Sequence, residues 1–351
     1  MKYRITRLLI AIITLLMSCK PEPIKPDDID LSNGVFIVNE GNFMANNGEI
    51  DFYNFLTGEI TNRLFAMQNN DAVLGDVIQS LCIIDSFGLI AVNNSKKIEI
   101  VNINSFKHIH TITGVSYPRY LIPVRPEICY LSNGKNPGQI LVLNTRSKNF
   151  IDTIMVGNEP ENMIKLNQLV FVANGAWGHD STVSVIDAQT DEVIQTIVAS
   201  DGATDLTVDE LDRVWVLCQG KTEFDNPMET PSKLVCINTF DFSVVHKFEI
   251  GTANDGYYPV RMACNPTKDT VYYLESQGVF ALNINNPEAG KWIIPGSFYG
   301  LEINPETGDI YVLSDNAFSK PGNLSIYNSA GDLIIQNIQT GIGPNAAVFK
   351  P

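Results

Sequence analysis

The sequence predicts an all-β fold: a seven-bladed β-propeller of four-stranded antiparallel blades, closed by pairing of the N- and C-terminal segments. Three observations carry this expectation. Strand-like apolar segments recur with a period of 40–45 residues, each repeat holds about four of them, and no useful length of chain shows a helical period.

The chain begins with Lys2, Arg4 and Arg7, followed by an apolar run from Leu8 to Met17. A run of ten residues, nine of them apolar, is too short to span a bilayer at about 1.5 Å per residue. A basic start, a short apolar stretch and a small residue at its end read as a secretory signal over residues 1–18. Leu16-Met17-Ser18-Cys19 resembles the bacterial lipobox, which implies lipidation at Cys19, with export and a membrane anchor. Residues 19–33, rich in proline and acidic groups, read as a solvated tether before a propeller over 34–351.

The formal charge is −15, and becomes −18 once the three basic residues of the signal are removed. Such a surface repels phosphate backbones and anionic headgroups, so neither nucleic acid nor a membrane surface is an expected partner, apart from the anchor itself. Cys82, Cys129, Cys218, Cys236 and Cys264 fall in or beside apolar strands without C-x-x-C spacing, which excludes a zinc framework. Most read as small buried residues. Cys218 and Cys236 flank one long loop, and a disulfide between them is left open.

The repeats align residue by residue. "GLIAVNNSKKIEIVNINSFKHIHTITG" ends at Gly114, "EICYLSNGKNPGQILVLNTRSKNFIDTIMVG" at Gly157 and "QLVFVANGAWGHDSTVSVIDAQTDEVIQTIVAS" at Ser200. Short glycine-to-proline links join them, from Gly114 to Pro118, Gly157 to Pro160 and Gly341 to Pro344. Val183 and Val185 alternate with polar neighbours, as a strand requires. Six blades follow at 75–114, 115–157, 158–200, 201–251, 252–296 and 297–341. The remaining blade, numbered 1 here, joins 34–65 to 343–351 and so leaves no open edge.

A propeller presents its second-to-third-strand loops and its inter-blade links at one end. Those loops align as Glu40-Gly41, Asn94-Ser95, Asn133-Gly134, Asn174-Gly175, Gln219-Gly220 and Asp315-Asn316, with Glu275 to Gly278 a looser match. The pattern reads either as a ring of donors and acceptors around the mouth or simply as hairpin turns. Aromatics favour the first reading: Phe43, Tyr117, Tyr120, Trp177, Tyr257, Tyr258 and Tyr299 sit in or beside the same loops. The links add Tyr120, Asn162 and Arg261 near the axis. Trp177 serves no turn geometry, so it either packs on its own blade or offers a flat face to a ligand.

"GVFIVNEGNF", "LGDVIQSL", "VNNSKKIEIVN", "YPRYL" and "STVSVIDAQTDEVIQTI" resemble the YncE-like, surface-layer-type propeller lipoproteins over residues 33–351. Within that group the chain is similar to the BtuG-type cobalamin-binding surface lipoproteins. The resemblance implies a lipid-anchored outer-membrane protein at the cell surface. It also implies a corrinoid or related small nutrient as ligand, and delivery to a TonB-dependent transporter. The insert "KTEFDNPMETPSK" at 221–233 departs from the pattern.

On this reading Trp177, Phe43 and Tyr258 stack on the ligand, while Asn42, Asn94, Asn133 and Gln219 bond its edges. Arg119 and Arg261 suit a phosphate. Glu40, Tyr117, Asn174, His179, Tyr299 and Asp315 complete the expected binding face. No cofactor and no catalytic residue is expected, since neither G-x-S-x-G nor H-E-x-x-H nor a calcium loop occurs. His108 and His110 share one face of an outer strand and read as solvated; His246 also falls on a late strand. Two other functions stay open: a protein-interaction scaffold without a small ligand, and a calcium-dependent lactonase using Glu40, Asn133, Asn174 and Asp315 as oxygen donors.

Overall fold

Each repeat folds into its own antiparallel sheet, and seven such four-stranded sheets are present. The computed structural model describes residues 29–221, 229–253, 259–287 and 290–350. Blades 2 to 7 occupy 78–113, 118–156, 160–198, 203–249, 262–295 and 300–339. In blade 1 the order places Pro344–Phe349 innermost, then Gly34–Asn39, Glu49–Asn54 and Ile60–Thr61. The closing pair runs Val35↔Phe349, Phe36↔Val348 and Ile37↔Ala347, so the two ends of the chain satisfy each other's backbone groups. Among the described residues the α-helical content is one short segment, Leu64–Gln68.

The core lies between neighbouring blades. Phe171, Val183 and Val185 of blade 4 pack against Leu206, Val216 and Val235 of blade 5. Leu89, Ala91 and Ile100 of blade 2 pack in the same way on Leu121, Cys129 and Leu131 of blade 3. Because a sheet meets a neighbour on each side, middle strands are buried on both faces. Ser184, a polar member of the alternation, is 1% exposed, and its hydroxyl accepts a hydrogen bond from the Asn174 amide. Alternation in this fold therefore marks which neighbouring blade a side chain meets rather than core against solvent. Outer strands, such as Glu192–Val198, carry the exposed face.

The five cysteines of the propeller are free thiols, four of them buried. Register rules out the Cys218–Cys236 bridge. Cys218 faces Lys233 while Cys236 faces Trp215 across the same pair of strands, three positions further along. At about 3.3 Å per residue that offset is near 10 Å, beyond disulfide reach.

A candidate ligand-binding mouth on the propeller axis

The start of each blade's innermost strand brings one polar side chain to the axis. Gln79 comes from blade 2, Arg119 from blade 3, Glu161 from blade 4, Asp205 from blade 5 and Asn345 from blade 1. Arg261 precedes the first strand of blade 6, and Glu302 lies within that of blade 7. These groups form a connected belt. Arg119 donates from Nε (2.9 Å) and Nη2 (2.5 Å) to Glu161 Oε2, and from Nη1 to Gln79 Oε1 at 2.5 Å. Gln79 Nε2 in turn donates to the Tyr120 hydroxyl at 3.1 Å, as does Arg261 Nη1, also at 3.1 Å. The Tyr120 ring has two guanidinium neighbours, each 5.8 Å from its centroid, an arrangement that adds cation–π attraction.

The carboxyl groups have their own donors. Glu40 Oε1 accepts from the Tyr299 hydroxyl (3.1 Å) and from Asn345 Nδ2 (2.8 Å). Asp205 accepts from Asn162 Nδ2, the Leu206 N–H and the Met262 N–H. Glu302 accepts a single long bond from the Ile303 N–H, 3.3 Å. Burial pushes Glu40, Glu161 and Asp205 above the usual carboxylate range. Glu302 rises to about 8, first through burial and then through the charge of Asp205.

Above this belt the loop-rich end opens into a hollow of about 210 Å³. Its lining includes Glu40, Arg119, Trp177, Gln219, Arg261 and Tyr299, with Gln79, Tyr120, Glu161 and Thr204. A second hollow of about 650 Å³ shares Arg119, Glu161 and Trp177 with the first and extends over Tyr117, Lys135 and Gln139. The two adjoin at those shared side chains.

Trp177 occupies the junction, and local backbone explains how it is held there. Ala176, Trp177 and Gly178 all have positive φ (42°, 53° and 90°), a left-handed turn that L-residues resist. The turn is closed by bonds from the Gly178 N–H to Gly175 O (2.8 Å) and from the His179 N–H to Ala176 O (2.9 Å). Gly178 leaves no room for a side chain without a shift of backbone: a Cβ there would lie 2.2 Å from Lys221 Cα in blade 5. Asp180 braces the far side, accepting from the Asn158 N–H and from both the N–H and hydroxyl of Thr182. The result is an indole 55% exposed on a pinned loop.

Six of the expected binding residues therefore share the axial mouth, and Tyr117 lines the adjoining hollow. The remaining amides are spent elsewhere. Asn133 is 2% exposed, accepts the Tyr117 N–H and donates to Gln139. Asn174 is fully buried and donates to Thr182 and Ser184. Asn94 donates to Asp76, and Asn42 donates to the Phe318 carbonyl, tying the loops of blades 1 and 7 together. Asp315 caps its own turn through the Ala317 N–H. These side chains are bonded within the protein, as the hairpin-turn alternative expects, while Glu40 and Gln219 of the same aligned loop positions open on the mouth.

Phe43 and His179 are exposed but line neither hollow. Tyr258 and Cys19, together with Tyr257 and most of the 221–233 insert, lie outside the described residues. The calcium constellation is not assembled either, since only Glu40 of its four members opens on the mouth. Among the described residues, no group of three or more His, Cys, Asp or Glu side chains is placed to hold a metal. Gln79, Glu161, Asp205, Glu302 and Asn345 were missed by sequence reasoning; their shared signal is position in the first strand after each link.

The family model for a domain of unknown function, DUF5074, matches residues 33–349, and the chain belongs to that family. No curated protein matches it. Among solved structures, the chain is similar to a quinonprotein alcohol dehydrogenase-like protein of Bacteroides thetaiotaomicron. That match has 16% identity and a TM-score of 0.64, over 92% of this chain and 79% of the other. Hydrazine synthase of Kuenenia stuttgartiensis aligns at 13% identity and a TM-score of 0.60, over 78% of this chain and 92% of the other. The Pan2 WD40 domain of Neurospora crassa aligns at 12% identity and 0.53, over 67% and 71%. At these identities the likeness establishes the propeller fold and nothing about chemistry.

Proposed function

We propose that this DUF5074 protein is an exported binding lipoprotein, anchored to the outer membrane through Cys19, that captures a small nutrient on its loop-rich face and passes it to a TonB-dependent transporter. The observation that carries the reading is Trp177. A large aromatic held half-exposed by a strained turn, over a hollow of about 650 Å³ beside a charged axial mouth, is a surface made for stacking. Tyr117, 51% exposed, supplies a second flat face in the same hollow. A corrinoid, a broad macrocycle fringed by amides, suits two aromatic faces with Gln219, Lys135 and Gln139 at the edges; the choice of corrinoid rests on the resemblance to BtuG-type proteins. The binding is not enzymatic on this reading.

Phe43 and Met44, 67% and 72% exposed in the blade 1 loop at the same end, favour a protein partner docking beside the ligand. They fit a transporter, and they equally fit a scaffold that has no small ligand. The anchor-free domain mixed with cyanocobalamin and passed over a sizing column separates these. Colour travelling with the protein, and lost in Trp177→Ala, is the expected result. Failure of any corrinoid to co-elute, with a transporter still captured by wild type but not by Phe43→Ser, would replace capture with scaffolding.

A further inference from the structure

The two arginines of the mouth are not equivalent. Arg119 has a contact counter-ion and a bond on every nitrogen: Nε and Nη2 go to Glu161 and Nη1 to Gln79. Arg261 is 9% exposed, yet among the described residues it has no carboxylate oxygen within ion-pair distance. Its Nε donates to the Asn345 carbonyl (3.0 Å), and Nη1 to the Val260 carbonyl (3.0 Å) and the Tyr120 hydroxyl (3.1 Å). Nη2 makes no hydrogen bond among those residues. Arg261 lines both the loop-rich mouth and a larger chamber of about 640 Å³ that also contains Asp205 and Glu302. A buried guanidinium without a contact counter-ion is costly unless something completes it.

We propose that Arg261 is the docking point for an anionic group, a carboxylate or phosphate, on the small molecule captured at the mouth. The proposal rests on the capture reading and narrows its ligand class. Nε and Nη1 are fully used by the Asn345 carbonyl, the Val260 carbonyl and the Tyr120 hydroxyl, which hold the group in place and leave the two N–H donors of Nη2 to meet an oxygen of either anion. Tyr120 is a positioning residue, since its hydroxyl bonds Arg261 and its ring packs near both guanidiniums. Glu40, Glu161, Asp205 and Glu302 all feel the Arg261 charge, but none bonds it. The first three are bonded to other donors and Glu302 to the Ile303 N–H, so Nη2 keeps no carboxylate in contact.

The test is calorimetric titration of the anchor-free domain with inorganic phosphate and, separately, with acetate, at low constant ionic strength. Saturable 1:1 binding of at least one anion is expected, weakened at least tenfold in Arg261→Gln and partly retained in Arg261→Lys. Arg146→Gln, at an exposed arginine remote from the mouth, should bind as wild type does. If Arg261→Gln fails to fold, side-chain ¹⁵N resonances of wild-type arginines replace it, and a single buried guanidinium should shift on adding the anion. Phosphate selectivity would point to a phosphorylated ligand, acetate selectivity to a carboxylic acid. No saturable binding of either anion, or binding indifferent to Arg261→Gln, overturns the proposal. Cyanocobalamin capture that persists alongside that failure would leave the capture reading standing; anion binding at Arg261 in a domain that ignores cyanocobalamin would retain this site and discard the corrinoid.

Discussion

Replacing Trp177 by glycine and by alanine should give two proteins of opposite rank from the usual one. Both variants lose the indole, and with it the same packing; less than half the side chain is buried, worth about 2 kcal/mol at ordinary apolar transfer values. That contribution cancels in the comparison. What remains is backbone. At φ 53° and ψ 33° an alanine keeps the left-handed strain, about 1–2 kcal/mol, whereas glycine does not. Against this, glycine loses about 0.4–1 kcal/mol through its freer unfolded chain. The Gly variant should therefore be more stable than the Ala variant by roughly 0.5–1 kcal/mol, where an ordinary loop position would favour Ala. Urea unfolding of both, fitted with a shared m-value, reads the difference. An Ala variant as stable as the Gly variant, or more so, would mean that the turn is not strained and that Trp177 is not held out by it.

Three further outcomes follow from the same structure. Glu49, 8% exposed, is lifted by burial to about 7, above the 4.5 of an unfolded chain. Its folded state favours the neutral acid, so the stability it contributes is complete below pH 4.5 and is lost as pH rises through about 7. At about 1.4 kcal/mol per pH unit, Glu49→Gln should gain up to roughly 3 kcal/mol on wild type between those limits, and parallel pH profiles of the two proteins would contradict this. Arg119→Met strands the Glu161 carboxyl and should cost about 3–5 kcal/mol, most of which Arg119→Met/Glu161→Met recovers. A double variant no more stable in urea than the single one would show that the pair is not what holds the belt. Gly178→Ala drives a Cβ into blade 5, so it should destabilise by about 1–3 kcal/mol and lower ligand affinity by displacing Trp177. Unchanged affinity in a destabilised Gly178→Ala would break that link.

The fold was legible because a propeller writes itself as a period. Gly114, Gly157 and Gly341, each followed by its proline, mark where one sheet ends and the next begins, and the boundaries they suggest match the seven observed sheets. Closure by residues 344–349 was legible for the same reason, as one strand was missing from the first repeat. The site was less so. Asn133 and Asn174 stand out in the sequence because they sit next to glycine, but their amides are spent inside the blade, on the Tyr117 N–H and Gln139 and on Thr182 and Ser184. Glu161, Asp205 and Glu302 share only their place near the start of a blade's innermost strand, and they meet because blades far apart in sequence converge on the axis. Trp177 was visible as an anomaly, but only the left-handed backbone explains its presentation.

The most direct test of the central claim, that the loop-rich end carries the ligand, compares one aromatic from each end of the propeller. Cyanocobalamin affinity is measured by equilibrium dialysis for wild type, Trp177→Ala and Phe240→Ser, the last removing a 95% exposed ring from the opposite end. Loss of at least tenfold in Trp177→Ala with no change in Phe240→Ser is the predicted result. Affinity that survives Trp177→Ala, or falls with Phe240→Ser instead, would place the ligand elsewhere on the propeller and contradict the account.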